Sequence, residues 1–540
     1  MNKKTTVAHA LVEILAKLGV RRIYGVPGGG SSLDLIRAAE DNDIQFILTK
    51  SENSAVMMAG AIAEITGIPG VALMTKGPGM SNAANGVAYA RLDRAPVIII
   101  TDGFSENQLK YITHQVFDQK AFFAPITKGH TRLESINPVC EINKIIQLAC
   151  TPPMGPVHVE LTGEVARQFI SSSEIPISPE NSFIPDTINL KNIISIINSS
   201  KKPILIIGLE ARQYSEQVQK LADLLKCPVL QTYKAKGVIS DFHPQAIGIF
   251  TGGSQEAESI SRSDLMIMVG LDPVEMILQP WSYNKSAIEL SNSNHLTHYI
   301  LPKAKISRDL GRHLTELNKN LAAYSSLWVI GEIIKIRTDT LKRLIYPSIQ
   351  FGVAPDRIVQ ISAKLYLDNK FRPRMTVDAG AHMFSATTFF PITRAGDVLI
   401  SNGLATMAFA LPAAIAAAIE DPSTPVICFT GDGGLMMCLG ELCTAVEQSA
   451  HIIVVVFNDS SLSLIDIKQQ SRKLPSNGVR WSKHDFAETM NALGGKGMHA
   501  NTEEQYIDAL QYALKNNSPF LIDVQIDPSG YSTQLKAMRG

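Results

Sequence analysis

The chain has 540 residues and a mass of 58.8 kDa, is 45% hydrophobic and 19% charged, and balances 50 Lys+Arg against 50 Asp+Glu. That apolar content excludes a mainly disordered polymer, and zero net charge leaves no basic footprint for general nucleic-acid binding. Length alone sets a prior of three or four domains.

The N-terminal stretch MNKKTTVAHALVEILAKLGV has Glu13 and Lys17 inside its apolar run, so it fails as a signal-peptide core. Leu11, Ile14, Leu15 and Leu18 fall at helical spacing and predict a surface helix. Unalternating apolar runs follow: RRIYGV, IQFILT, GVALMT and PVIIIT in the first third, KPILIIG and DLMIMVG in the middle, then PVICFTG, HIIVVVF and PFLIDVQI. Such runs suit strands buried on both faces, and with helices between them they predict an α/β fold of mostly parallel sheets flanked by helices. The Ser/Pro-rich segment 170–187 reads as a linker, and a second boundary falls between about 325 and 352, where a helical stretch runs into a Pro-containing turn. Three domains result: 1–170, 188–335 (degenerate Rossmann-like) and 352–540. No stretch reaches the roughly 20 apolar residues of a membrane span. The six cysteines, Cys140, Cys150, Cys227, Cys428, Cys438 and Cys443, form no CxxC pair and read as reduced, mostly buried thiols. A cytoplasmic protein is expected.

The sharpest chemical signal is TGDGGLMMCLGELCTAVEQSAHIIVVVFNDSSLSLI, residues 430–465. A strand runs into Gly431-Asp432-Gly433-Gly434, a helix follows, and a second strand ends in Asn458-Asp459. Parallel strands end on one edge, where ligands bind, so Asp432 and Asp459 meet there. Glycines let the backbone approach an anion, the helix start favours phosphate, and hard oxygen ligands beside a phosphate suit magnesium. Asp432 alone would be no more than a helix N-cap; the whole pattern says more.

This segment resembles the thiamine-diphosphate motif, GDG followed some 25 residues later by NN or ND, and the chain is similar to the acetolactate synthase-like group of that superfamily over nearly its whole length. The resemblance implies a pyrimidine-binding, a middle and a diphosphate-binding domain. Asp432 and Asp459 would give carboxylates to Mg2+ and Ser461 a backbone carbonyl, with Asp459 standing where an amide is usual, as in catabolic members. Residues 49–103 look like the pyrimidine-binding domain, with Glu52 as the glutamate that relays a proton to the cofactor's pyrimidine; on position alone Glu52 is a helix-start carboxylate. Ser51 stands where the family has histidine. VPGGGSS, residues 26–32, matches no dinucleotide or P-loop fingerprint. It resembles the glycine-rich loop near the reacting carbon and makes Gly28 and Gly29 candidates. DAGAHMF resembles the diphosphate-contacting turn, with His382 as its polar contact; alone, that histidine would be a surface one. SNGLATMAFALPAAI puts Met407 where an apolar wedge parts the cofactor rings, although a Met in an apolar run is usually core filler. Gly79, Asn82, Gly431, Gly433, Gly434, Leu462 and Leu464 complete the implied cofactor contacts.

ITHQVFDQKAFFAPITKGH, residues 112–130, resembles the HQ-plus-PITK stretch of catabolic acetolactate synthases, so His114 and Gln115 would face the substrate; otherwise they are exposed loop residues. Leu271-Asp272 replaces the Ala-Arg pair that holds FAD in biosynthetic members, which speaks against FAD. Lys468 takes the place of the tryptophan that shapes their acceptor pocket, which speaks against 2-ketobutyrate specificity.

The implied activity is decarboxylation of a 2-oxo acid or related donor followed by C–C bond formation, in a homodimer or dimer of dimers with active sites at the subunit interface. A lyase or decarboxylase of the 2-hydroxyacyl-CoA lyase, oxalyl-CoA decarboxylase or benzoylformate decarboxylase type is the close alternative. A non-catalytic cofactor-binding homologue and a flavin- or NAD-linked oxidoreductase are the distant ones. No nucleic-acid or membrane partner is expected.

Overall fold

The computed structural model describes residues 4–134, 136–171, 186–276, 281, 283–295 and 300–539. Most of the expected linker 170–187 therefore lies outside the described residues. Strand β1 (Lys4–Thr6) opens the chain, and the expected N-terminal helix follows at Val7–Lys17. That helix is more deeply packed than a surface helix: Val7, Leu11, Val12 and Leu15 are wholly buried, and of its expected apolar stripe only Leu18, the C-cap, is exposed.

The first sheet comprises β2 (Arg22–Val26), β3 (Gln45–Leu48), β4 (Gly70–Met74), β5 (Val97–Gly103), β6 (His130–Arg132) and β7 (Val157–Thr162). All its pairings are parallel, in the order β3-β2-β4-β5-β7-β6. Strand β8 (Phe169–Ser171) pairs antiparallel with β1. The middle sheet comprises β9 (Pro203–Ile207), β10 (Val229–Gln231), β11 (Ala246–Ile249), β12 (Leu265–Val269), β13 (Ser286–Ser291) and β14 (Ala304–Ser307), in the order β11-β10-β9-β12-β13-β14. The third comprises β15 (Arg374–Val377), β16 (Val398–Ile400), β17 (Val426–Gly431), β18 (Ile452–Asn458), β19 (Lys496–Ala500) and β20 (Phe520–Gln525), in the order β16-β15-β17-β18-β20-β19. Both are parallel throughout. Every residue of β4, β5, β7, β9, β12 and β18 is buried, as their unbroken apolar pattern requires. The α/β fold class of three parallel sheets flanked by helices is thus the one observed.

Packing divides the described chain into two compact units. One holds the first sheet together with 404–422 and 436–451; the other holds the middle and third sheets. The helices Ala410–Glu420 and Glu441–Glu447 therefore pack with the first sheet although they lie next to third-sheet strands in sequence. Their contacts explain this. Glu420 accepts from both Arg21 and Arg22, Lys50 pairs with Glu447 at 2.6 Å, Glu441 accepts the Lys50 N–H at 3.0 Å, and Phe409 packs on Tyr89 with ring centroids 4.7 Å apart. None of the six cysteines is in a disulfide; Cys227, Cys428 and Cys438 are buried as expected, but Cys443 is half-buried and Cys140 exposed.

Candidate active site

In the first unit the carboxyl ends of β2, β4 and β5 carry the glycine loop, the Thr75–Asn82 turn and Asp102. Glu52 is the first residue of the helix Glu52–Thr66, where the N-terminal dipole favours a carboxylate. Asn82 Nδ2 donates to Glu52 Oε2 at 2.6 Å. A side chain at Gly79 would crowd the carboxylate: its Cβ would lie 3.0 Å from Glu52 Oε1 and 2.9 Å from Thr75 Cγ2. Glu52, Gly79 and Asn82 thus form one cluster, with Oε1 of the glutamate turned to the glycine. Gln115 backs onto the same turn. It holds a left-handed backbone (φ +60°), and a Cβ on Gly77 would lie 2.8 Å from its own Cβ. His114 and Gln115 are both exposed.

Met407 belongs to this unit and is half-buried. It sits between two non-glycine residues in the left-handed region, Ala405 (φ +55°) and Ala408 (φ +66°). Each such residue costs roughly 1–3 kcal/mol, and strain of this kind clusters at functional sites. Asn85 Nδ2 ties the segment down by donating to Thr406 Oγ1 at 2.9 Å.

Gly28 lies against Asp102, a residue sequence reasoning passed over. The Asp102 carboxylate is buried; Oδ1 accepts from Ser31 Oγ at 2.5 Å and Ser32 N at 3.0 Å, while Oδ2 has no partner. A Cβ on Gly28 would come within 2.4 Å of Oδ2, whereas Gly29 faces open space. The only sequence signal for Asp102 was a polar residue at the end of the apolar run PVIIIT.

In the second unit β17 and β18 are adjacent, with Gly431 paired to Phe457, so Asp432 and Asp459 emerge side by side at one sheet edge. Asp432 starts the helix Asp432–Met437; its Oδ1 accepts from Gly433 N at 2.8 Å and its Oδ2 from Ser460 N at 2.6 Å. Asp459 accepts from the Ser463 hydroxyl. Burial raises both carboxyls, Asp459 to about 6 and Asp432 to about 7, the latter also through the charge of Asp459. A bound cation would favour the ionised form of both carboxyls. Ser461 forms an antiparallel bridge with Arg480, Leu462 N donates to Val479 O at 2.8 Å, and Leu464 packs on the third-sheet core. A cavity of about 500 Å³ opens against Asp459, Ser461 and Ser463.

His382 is no surface histidine: it is 4% exposed, stacks on Phe457 with ring centroids 5.2 Å apart, and its Nε2 is buried without a partner. Burial lowers its pKa to about 4, against a backbone hydrogen bond to Phe429, so the ring is neutral. Its Nδ1 lies 3.4 Å from where a Gly431 Cβ would be. Asp378 is the second residue missed: Thr430 Oγ1 donates to its Oδ2 at 2.7 Å, and a Gly434 Cβ would lie 2.4 Å from that oxygen. Glycine at 434 is thereby enforced by a buried carboxylate. Two adjacent buried carboxyls and a buried imidazole nitrogen without a partner, beside a glycine turn, are a donor set that fits a metal-bound diphosphate.

The middle sheet is built differently at the corresponding edge. Gly208 and Leu271 press together, since a Cβ on Gly208 would lie 2.4 Å from Leu271 Cα. The buried Glu275 carboxylate fills the turn, accepting from Leu209 N at 2.9 Å, Asp272 N at 3.2 Å and Thr232 Oγ1 at 2.5 Å. Amides that could cradle a phosphate at this switch point serve a carboxylate of the chain itself.

Three family models cover most of the chain: the N-terminal thiamine pyrophosphate (TPP) binding domain over residues 5–122, the central domain over 190–317, and the C-terminal TPP binding domain over 378–524. The chain belongs to the thiamine pyrophosphate enzymes. Within them it is similar to acetolactate synthases. It is 26% identical to the acetolactate synthase of Bacillus subtilis (strain 168) over 97% of this chain and 94% of that one. It is 27% identical to a probable acetolactate synthase large subunit of Methanocaldococcus jannaschii over 97% and 92%, and 27% identical to a catabolic acetolactate synthase of Raoultella terrigena over 96% and 95%. Among the described residues no helix is long and apolar enough to cross a membrane.

Proposed function

We propose that the protein is a magnesium-dependent carboligase that decarboxylates a 2-oxo acid and joins the remaining carbon to an acceptor carbonyl. The observation that carries this reading is the packing of Gln115 onto the turn that also holds Gly79 and Asn82 against Glu52. An amide donor and a proton-handling carboxylate thereby border one turn, which suits a reaction that must both move a proton and hold an acceptor oxygen. Bound thiamine diphosphate supplies the electron sink for the carbon left by decarboxylation. Glu52 holds and releases a proton at Oε1, the oxygen that Asn82 leaves open. Asp432, Asp459 and the Ser461 carbonyl would hold the magnesium, His382 would be the polar contact on the diphosphate side, and Met407 is kept in place by the strained backbone around it. His114 and Gln115 orient the acceptor. The Glu275 plug supports operation without FAD. The relatives named above support acetolactate-type chemistry, and we assign the chain to three domains at 1–170, 188–335 and 352–540 in a homodimer or dimer of dimers.

The deciding experiment assays a panel of 2-oxo acids for carbon dioxide release and identifies the products. Pyruvate converted to acetolactate supports the reading. Carbon dioxide release with aldehyde as sole product, or cleavage of an acyl-CoA, replaces it by the lyase or decarboxylase alternative.

A further inference from the structure

The second unit carries another cavity, of about 390 Å³, lined by none of the residues assigned above to cofactor or metal. Its floor is β11, the outer strand of the middle sheet. The helices Ile330–Leu344 and Pro355–Asp368 wall it, and the end of the helix His382–Phe389 closes it.

Its charge is uneven. Lys236 is 3% exposed and its Nζ lies 2.5 Å from Asp241 Oδ2, so that pair is internally neutral. Arg337 and Lys364 reach the cavity from the two walling helices, and neither has an ion-pair partner among the described residues. Asp368 is the one remaining carboxylate in the lining. Two cations against one carboxylate leave a site that favours an anion.

A second observation is independent of charge. Gln255 lines the cavity at 4% exposure, and its Oε1 is buried with no hydrogen-bond partner. Thr388 Oγ1, also in the lining, is in the same condition. Buried polar atoms are paired in the great majority of cases, so each exception calls for an explanation. Between these groups the walls are apolar, through Ile249, Leu341 and Leu367. Apolar walls with a few convergent polar groups, in a volume of some 300–1,000 Å³, are the common make-up of small-molecule sites.

We propose that this groove binds a small organic anion with an apolar body and an N–H or O–H donor. Arg337 and Lys364 take the anionic group, the aliphatic side chains take the body, and Gln255 Oε1 accepts from the donor. The site stands apart from the catalytic reading and survives its failure. The helix His382–Phe389 begins at the buried histidine and ends at the groove, so occupancy is structurally continuous with the diphosphate side.

The test uses the full-length protein and 8-anilinonaphthalene-1-sulfonate, which combines a sulfonate, a flat apolar body and an anilino N–H. Fluorescence titration is expected to show one saturable site per chain. Arg337→Glu/Lys364→Glu should weaken binding at least tenfold, and Gln255→Leu severalfold. The neutral analogue N-phenyl-1-naphthylamine should bind at least tenfold more weakly than the sulfonate. Lys364→Gln, at an exposed position, serves if the double variant does not fold, with an expected loss of about threefold. Unchanged affinity in the charge variants at an unaltered melting temperature, equal binding of the neutral analogue, or no saturable site would each overturn the proposal.

Discussion

Glu52→Gln tests the site at its centre. Asn82 Nδ2 donates to Oε2 at 2.6 Å, and a glutamine can present its amide oxygen to that donor and keep the bond. The other position, which faces Gly79, then holds an NH2 group that cannot take up or deliver a proton. The fold and the cofactor contacts of the other residues are therefore preserved while proton handling is lost. General acid–base catalysis contributes roughly 10²–10⁴-fold, or about 3–5 kcal/mol of barrier. Turnover should fall by that factor while cofactor affinity, read by fluorescence quenching on titration, stays within about threefold. Asn82→Ala isolates the supporting bond. A hydrogen bond to a charged group contributes about 1.5–3 kcal/mol, less where it is exposed as here, so a loss near tenfold is expected. Wild-type turnover in Glu52→Gln would refute the proton-handling role, and equal losses of turnover and cofactor affinity would reduce Glu52 to a binding residue.

Three further outcomes follow from the geometry. Asp459→Asn keeps an oxygen for magnesium and relieves the repulsion with Asp432, so cofactor affinity should hold, whereas Asp459→Ala should lose it; identical affinity in all three forms would remove Asp459 from the metal site. Glu256 is buried, accepts from Thr251 N at 3.1 Å and Gly253 N at 3.0 Å, and burial raises its pKa from 4.5 to about 7. Its folded-state pKa lies above the unfolded value, so it favours the fold below pH 4.5 and loses that contribution as pH rises toward 7. Glu256→Gln should therefore gain stability over wild type between those limits, by up to about 3 kcal/mol, and parallel melting curves from pH 5 to 8 would contradict the assignment. Purified protein should show no flavin absorption, because the Glu275 carboxylate occupies the amides at the middle-sheet edge; a stoichiometric yellow chromophore would overturn that reading.

Much of the architecture was legible from residue order. Strands buried on both faces need unbroken apolar side chains, and the runs from RRIYGV to PFLIDVQI mark β2, β4, β5, β9, β12, β17, β18 and β20; the run IQFILT also marks a strand, β3, but it is an outer strand with Gln45 and Leu48 exposed. Short or partly polar strands gave no such signal. Strand β6 is only half-buried, β19 is half-buried or exposed except at Ala500, and β10, β14 and β16 have three or four residues, so neighbouring strands rather than their own pattern define them. The meeting of Asp432 and Asp459 was also readable, because parallel strands end on one edge and the two acidic residues follow two such strands. Other features depend on contacts distant in sequence. The pairing of Arg21 and Arg22 with Glu420 draws the Ala410–Glu420 helix to the first sheet, and no local pattern announces it. The left-handed backbone at Gln115, Ala405 and Ala408 runs against local preference and persists only where surrounding structure over-determines it. Nor could composition show that His382 loses its charge or that Asp432 resists losing its proton, since both follow from desolvation. Sequence order sets which residues lie on a strand and which end it; desolvation and close approach are properties of the packed whole, and they turn those residues into a site.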